Sequence, residues 1–294
     1  MKIFRYHTNG SWLKGNTHTH STISDGRLNF KELAALYAGA GFQFLFRTDH
    51  WIPSDAAADR QAYPLLWLDG IELDGDDERG VYFHIVCLGT FKGIDRSMGL
   101  EDALRSARAQ GGLLILAHPH WTGNRLEDAL RLPLDAVEVY NNVCQGMNGK
   151  GYAGPIWDSM LEQKTGLLAI ASDDTHLSEE DQGWNGGWIV VNAAETSQSA
   201  IFNAIRTGNF YASTGPEFYN IEHHHGRIYV RTSPVKYIRM VGPAYRCHKV
   251  FDLSNSGLVE AEFEVPDHWG TVYIQIEDDV RRLAWTNPLF IEAP

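Results

Sequence analysis

The chain has 294 residues, with 37 acidic against 25 basic side chains and a formal net charge of −12. Such a surface repels phosphate backbones and argues against stable binding to duplex nucleic acid. The 44% hydrophobic content suits one large domain, or one medium and one small domain, and no run of 18 apolar residues predicts a membrane span.

Three cysteines, Cys87, Cys144 and Cys247, form neither a disulfide framework nor a CxxC zinc site. The opening MKIFRYHTNGSWLKGN lacks the apolar core of a secretory signal, so the cytoplasm is the expected location. The first stretch with chemical content is NTHTHSTISDG, residues 16–26, in which His18 and His20 stand two apart and Asp25 follows in a turn. Neutral imidazoles and carboxylates are ordinary ligands of divalent metals. An isolated HxH in a strand, however, only puts two side chains on one face, so the pattern depends on what arrives from elsewhere.

Asn29 with Glu32 three residues later forms a capping box, and Leu33, Leu36, Tyr37 and Ala40 follow a helical rhythm up to Gly41. Residues 42–50, 64–72 and 81–89 read as strands. A helix over 99–110 leads into LLILAHPHW, 113–121, read as a further strand. PLDAVEVYNN, 133–142, comes next, then a helix from Pro155 to Gln163 and a strand in GLLAIASDDTH, 166–176. Thr196 is the expected cap of one more helix, which stops at Gly208. Strand and helix alternate as in a parallel barrel or sheet. Beyond NFYASTGP the texture changes. RIYVRT, VKYIRMVG, LVEAEFEV and TVYIQIED read as antiparallel strands. The expected organisation is a catalytic domain over 1–216 and a small all-β domain over 217–294.

Polar groups recur at the ends of successive strands: His50 ends FLFRTDH, Glu72 ends LLWLDGIE, His118 ends LLILAH, and Asp174 and His176 end LLAIASDDTH. His84 lies within the apolar strand FHIV and faces the same way only if its pleat parity is right. In α/β folds the C-terminal strand ends form the face that carries the chemistry. One such histidine is most simply a satisfied core residue, but nine ligand-type side chains sharing one face point to a metal centre.

The ordered set HxH, SDG, TDH, GxE, a histidine inside an apolar strand, AHP and SDDxH resembles the polymerase and histidinol phosphatase (PHP) superfamily over roughly residues 15–216. The ending GNFYASTGP, with a small β domain containing WTNP (285–288), is similar to a subgroup that includes aryl-carbamate hydrolases. The resemblance implies a distorted seven-stranded β/α barrel bearing three divalent ions, zinc, manganese or iron. His18, His20, Glu72 and Asp174 would hold the first. Glu72 would bridge to a second held by His84 and His118, and Asp25, His50 and His176 would hold the third. The Asp-x-His spacing selects Asp174, with Asp173 as the alternative.

Metals roughly 3.5–4 Å apart hold a shared water and bring its pKa towards about 7. The sequence offers no GxSxG elbow, P-loop or dinucleotide fingerprint, so hydrolysis by metal-activated hydroxide is the expected chemistry. The substrate expected is a small phosphorylated metabolite or nucleotide. The alternative keeps the metals but cleaves a carbamate, amide or ester, a reading kept open by the few arginines and lysines near the motifs. A third reading is a metal-binding module whose β domain docks a partner. Outside the nine, His120 shares parity with His118 and is a candidate proton donor. Arg125 and Arg27 are candidate phosphate clamps. Glu138 and Asn141 are candidate lining groups, and Asp49 is a candidate partner for His50. Arg47 is expected to face the helices and HHH, 223–225, to lie on the β-domain surface. GWNGGW, 183–188, suits a mobile loop that binds a ring.

Overall fold

The structure is a computed structural model and describes residues 2–292 except 60, 180 and 255. Its contacts divide the chain into two compact units, one made of Leu13–Ser159 and Ile170–Ile189, the other of Met1–Trp12, Met160–Ala169 and Val190–Pro294.

In the first unit the strands Ser11–Asn16, Phe44–Arg47, Leu66–Asp76, Tyr82–Leu88, Leu113–Leu116, Ala136–Asn141 and Leu168–Ser172 lie side by side in chain order. The pairs Gly15–Phe44, Leu45–Trp67 and Ile115–Ala136 are parallel. Tyr82–Leu88 instead runs antiparallel to both its neighbours. The cause is local. Asp77 Oδ1 accepts the Arg79 and Val81 amides at 2.9 Å each, and Gly80 turns at φ +76. A turn this short returns the chain as a hairpin, because a parallel connection needs a crossover of a dozen or more residues.

The distorted seven-stranded β/α barrel expected from the sequence is not confirmed; among the described residues no closed sheet is found. The sheet's first and last strands end at Asn16 and Ser172. Beyond them the link is one parallel bridge, Thr19–Thr175, with the Asp174 amide on His18 O at 3.0 Å and the His20 amide on Thr175 O at 3.1 Å. Asp174 sits at φ +58, which breaks extended geometry before a ladder can continue.

The helix Phe30–Gly39 begins as its sequence dictates, with the Asn29 side chain accepting the Glu32 amide and Glu32 reaching back to the Asn29 amide. Its apolar stripe of Phe30, Leu33, Ala34 and Tyr37 packs with Phe42, Leu45, Leu65, Trp67 and Leu177. Each large side chain buried there contributes about 1.5–3 kcal/mol.

In the second unit Ser197, not Thr196, caps the helix Gln198–Thr207 by accepting the Ala200 amide at 3.2 Å, and Gly208 at φ +76 stops it. Phe218–His224, Arg227–Val235 and Leu258–Glu264 form an antiparallel sheet. Tyr237–Val241 pairs between Cys247–Phe251 and Tyr273–Glu277. Within WTNP, Asn287 is a buried clamp: it donates to Gly208 O and Phe210 O at 3.0 and 2.9 Å and accepts the Ala169 amide at 2.8 Å. Of the three histidines, His223 packs between Phe4 and Phe290, His224 reaches Glu222, and His225 turns the hairpin at φ +50. No helix among the described residues is long and apolar enough to cross a membrane.

Gly15 keeps the first two strands at their spacing, since a Cβ there would fall 2.2 Å from the buried Phe44 ring. Gly15→Ala is expected to destabilise the protein by about 1–3 kcal/mol through overpacking. Phe44→Leu should restore part of that loss; additivity of the two changes in urea melts would refute the contact.

Candidate metal centre

The strand ends and the hairpin bring the nine candidate side chains together within the first unit. His18 and His20 follow Ser11–Asn16, His50 follows Phe44–Arg47, His118 follows Leu113–Leu116, and Asp174 and His176 follow Leu168–Ser172. The hairpin register settles the parity of His84. It sits opposite Asp74, two residues from Glu72, so Glu72, Asp74 and His84 share a face. The backbone is bent where it delivers these groups: His118 has φ +29 and Asp174 φ +58, while Trp51 after His50 has φ +55 and Leu177 after His176 has φ +53. Non-glycine residues in such regions cost of order 1–3 kcal/mol each and persist where surroundings over-determine them.

At the centre, His18 Nε2 and His20 Nε2 each lie 3.1 Å from both Glu72 Oε2 and Asp174 Oδ1. All four atoms are buried, and none is aligned as a hydrogen bond to another. Their lone pairs converge on common space, the arrangement a cation satisfies and a hydrogen-bond network does not. On one side Asp25 Oδ2 lies 3.3 Å from His176 Nε2 and 3.7 Å from His50 Nε2. On the other, Glu72 Oε1 lies 2.8 Å from His84 Nδ1 and 3.6 Å from His118 Nε2. The two oxygens of Glu72 thus serve different neighbours.

Ligand-type atoms within 4.8 Å of one another fall into four sets. His18, His20, Glu72 and Asp174 form one, and His20, Asp25, His50 and His176 another. His84 groups with His50 and Glu72, whereas His118 groups with Cys144 and Asp174. His84 and His118 nonetheless stand beside the same oxygen, Glu72 Oε1, with ring centroids 4.9 Å apart.

Outer groups orient the rings, as metal-binding histidines require. His18 Nδ1 donates to Glu138 Oε1 at 2.8 Å, and Glu138 also accepts from the Ser172 hydroxyl, the His118 amide and the Asn141 side chain. Thr122 Oγ1 meets His118 Nδ1 at 3.0 Å, and the Asp174 carbonyl accepts from His176 Nδ1 at 2.7 Å. Asp74 Oδ1 lies 3.0 Å from His50 Nδ1. Asp49 does not partner His50. It gathers the Ser21 and Ser24 amides and hydroxyls, thereby fixing the loop that carries Asp25.

Burial lowers the proton affinity of His18, but Asp174, Glu72 and Glu138 outweigh it and hold that pKa well above the ordinary 6.5. His20, opposed by burial and held by Asp174 and Glu72, is raised to about 10. Burial also pushes Glu72 and Asp174 up, and the surrounding histidines bring both well down. Buried charge survives here only by mutual compensation.

Asp173 is a structural residue. Its carboxylate accepts from Asn16 Nδ2, Tyr37 Oη and the amides of Asn185, Gly186 and Gly187, at 2.7–3.0 Å. It anchors the GWNGGW segment, and Trp184 packs edge-on against Tyr37 at the margin of the core. Arg47 lies against Trp67 and Phe30, as expected.

Two expected catalytic residues do not reach the site. His120 is exposed and turned to Tyr152 O at 3.1 Å, because the strand ends at Leu116 and residues 119–122 are helical, which cancels the parity argument. Arg125 has a side chain 78% exposed, close to Glu127, and lines no part of the cleft. Arg27 is exposed as well and touches the site only through its amide on His176 O, at 2.8 Å.

The cluster opens into a cleft of about 350 Å³. Trp121, Val143 and Met147 give it an apolar wall, and Cys144, Ser178 and Asp181 also line it. These residues were missed in the sequence because they sit in irregular segments and short helices after the strands, where no period reports their direction.

No family model and no curated protein matches the sequence. Among solved structures, the chain is similar to a two-domain protein from Bacteroides vulgatus containing a predicted PHP-like metal-dependent phosphoesterase. The identity is 15% and the TM-score 0.55, over 98% of each chain. A protein from Bifidobacterium adolescentis assigned as a metal-dependent phosphoesterase aligns with 13% identity and TM-score 0.44, over 68% of this chain and 98% of its own. An amidohydrolase from Chromobacterium violaceum aligns with 17% identity and TM-score 0.40, over 58% and 90%. The first shares its fold with this chain.

The adjacent aspartates are expected to separate experimentally. Asp173→Ala should lower stability by about 3 kcal/mol, since it strands several buried donors, while bound metal measured by elemental analysis is kept. Asp174→Asn should lose metal with a smaller change in stability; the reverse outcome would exchange their roles.

The His20 shift sets a second expectation. Its pKa in the folded chain, about 10, exceeds the ordinary 6.5. The stability it contributes to the metal-free protein is therefore full below about pH 6.5 and is lost as pH rises through about 10. Melting temperature of metal-stripped protein should fall over that window. Metal displaces the same proton, so binding near neutrality should release acid, detectable by calorimetry in buffers of different ionisation enthalpy.

Proposed function

We propose that this chain is a metal-dependent hydrolase that cleaves a small phosphoester. The observation that carries this reading is the convergence of His18 Nε2, His20 Nε2, Glu72 Oε2 and Asp174 Oδ1, buried and mutually unpartnered at 3.1 Å. These four would hold one divalent ion, zinc, manganese or iron by donor chemistry. Asp25, His50 and His176 would hold another, and Glu72 with His84 and His118 would share the ions beside them. Bound there, such ions acidify water and polarise the scissile group. The fold shared with a protein that contains a predicted PHP-like metal-dependent phosphoesterase supports the same reading.

The chain's own side chains have defined tasks. Glu138 and Thr122 orient His18 and His118 through their second nitrogens. Asn141 holds Asp174 Oδ2 at 3.2 Å and leaves Oδ1 free for the centre. Trp121, Val143 and Met147 shelter the cleft and suit an apolar leaving group. The substrate is a small molecule, matched to a cleft of about 350 Å³.

A second reading, hydrolysis of a carbamate, amide or ester at the same centre, is favoured by one observation. Among the described residues no arginine or lysine lines the cleft, so a phosphate would meet positive charge only at the metals.

Metal-loaded protein assayed on p-nitrophenyl phosphate, its bis ester and an aryl carbamate separates the two. Phosphoester turnover, abolished by chelation and by His118→Ala or Asp174→Ala with only modest loss of fold, is the expected result. Carbamate turnover with inert phosphoesters would replace the first reading by the second. Near-normal rates in either variant would remove the metal site from the mechanism.

A further inference from the structure

Cys144 is a buried thiol in a position unlike that of an inert core cysteine. It is 2% exposed yet lines the cleft, and its sulfur, a His118 ring nitrogen and an Asp174 carboxylate oxygen lie within 4.8 Å of one another. Cys87 offers the contrast. It is fully buried in the strand Tyr82–Leu88, its thiol faces Ile85 O at 3.9 Å, and it does not line this cleft.

Two further observations point to a ligand. The first is Asp174, whose side chain is only 7% exposed: Oδ1 faces His18 and His20, while Oδ2 stands 3.7 Å from His118 Nε2. The second is Asn141, which connects the thiol segment to that carboxylate. Its Oδ1 accepts the Cys144 amide at 3.0 Å, and its Nδ2 donates to Asp174 Oδ2 at 3.2 Å and Glu138 Oε2 at 2.9 Å. One side chain therefore fixes both the backbone of Cys144 and the carboxylate beside its sulfur.

We propose that Cys144 Sγ is a metal ligand, completing with His118 and Asp174 a position in the centre that prefers a thiophilic divalent ion. The inference rests on the metal-centre reading above. Bonds of about 2.3 Å to sulfur and 2.0–2.1 Å to nitrogen put two ligands of one tetrahedral ion roughly 3.6 Å apart. A side-chain adjustment of up to about an ångström brings donors that lie within 4.8 Å of one another into that range. On binding, the thiol S–H bond breaks, the proton passes to solvent, and the sulfur donates its electron pair to the ion; no redox partner is involved. A thiolate among histidine and carboxylate donors shifts preference from manganese towards zinc and iron.

The test uses full-length protein loaded with cobalt(II), as wild type and as Cys144→Ser, Cys144→Ala, Cys87→Ser and Cys247→Ser. Wild type is expected to show a near-ultraviolet thiolate-to-cobalt charge-transfer band, kept in Cys87→Ser and Cys247→Ser and lost in both Cys144 variants. Zinc affinity in Cys144→Ser should fall on the order of tenfold or more, with manganese affinity changed less than about twofold. Cobalt uptake without that band in wild type overturns the assignment and leaves the centre standing, whichever variants fold. Persistence of the band in Cys144→Ser does the same. Failure of wild type to take up cobalt, zinc or manganese overturns the metal centre and this ligand with it.

Discussion

Two carboxylate oxygens and two imidazole nitrogens, each 3.1 Å from both members of the other pair and none directed as a hydrogen bond, set the terms for the rest of this structure. Burying such groups is unfavourable unless charge and lone pairs are compensated. Part of the compensation is visible in the protein itself. The histidines hold Glu72 and Asp174 ionised, and the same carboxylates raise His18 and His20. What proton sharing leaves unmet is a set of donors aimed at common space, which is the electrostatic demand a divalent cation meets.

That demand reaches outward through the backbone. Two strand ends carry a doublet in which one residue faces the cluster and its neighbour builds the support. His50 points inward while Asp49 binds the Ser21 and Ser24 amides. Asp174 points inward while Asp173 binds the amides of Asn185, Gly186 and Gly187. Alternating side-chain direction makes this division possible, and left-handed residues at or beside His50, His118, Asp174 and His176 re-aim the chain where alternation alone would not suffice. Glu138 extends the same logic one layer further, tying His18, His118, Asn141 and Ser172 into one network.

The cleft above the cluster mixes apolar walls with acidic and neutral polar groups. A substrate entering it gains contact with Trp121, Val143 and Met147 and meets no fixed cation among the described lining residues. Recognition would therefore reside in shape and in the metals more than in side-chain charge. The close approach of Cys144 to His118 and Asp174 would offer the centre a softer donor within the same cleft.

The sequence by itself put forward nine ligand-type residues, from strand ends and the HxH spacing, which are local features, and from the family resemblance that selects Asp-x-His; the structure brings those nine close together. The capping box of Asn29 and Glu32, and the capacity of nine ligand-type residues to share a face, follow from the chain's own periods. Tertiary structure alone decided what depends on direction after regular structure ends. It turned His120 outward with a short helix, left Arg125 in solvent, made Asp173 a loop anchor, and brought Cys144 beside His118. It also kept the sheet open, since Asp174 leaves extended geometry where a closing ladder would have to run. Periodicity specifies a side chain's face only while the backbone stays regular, and the chemistry here lies just past the points where it stops being so.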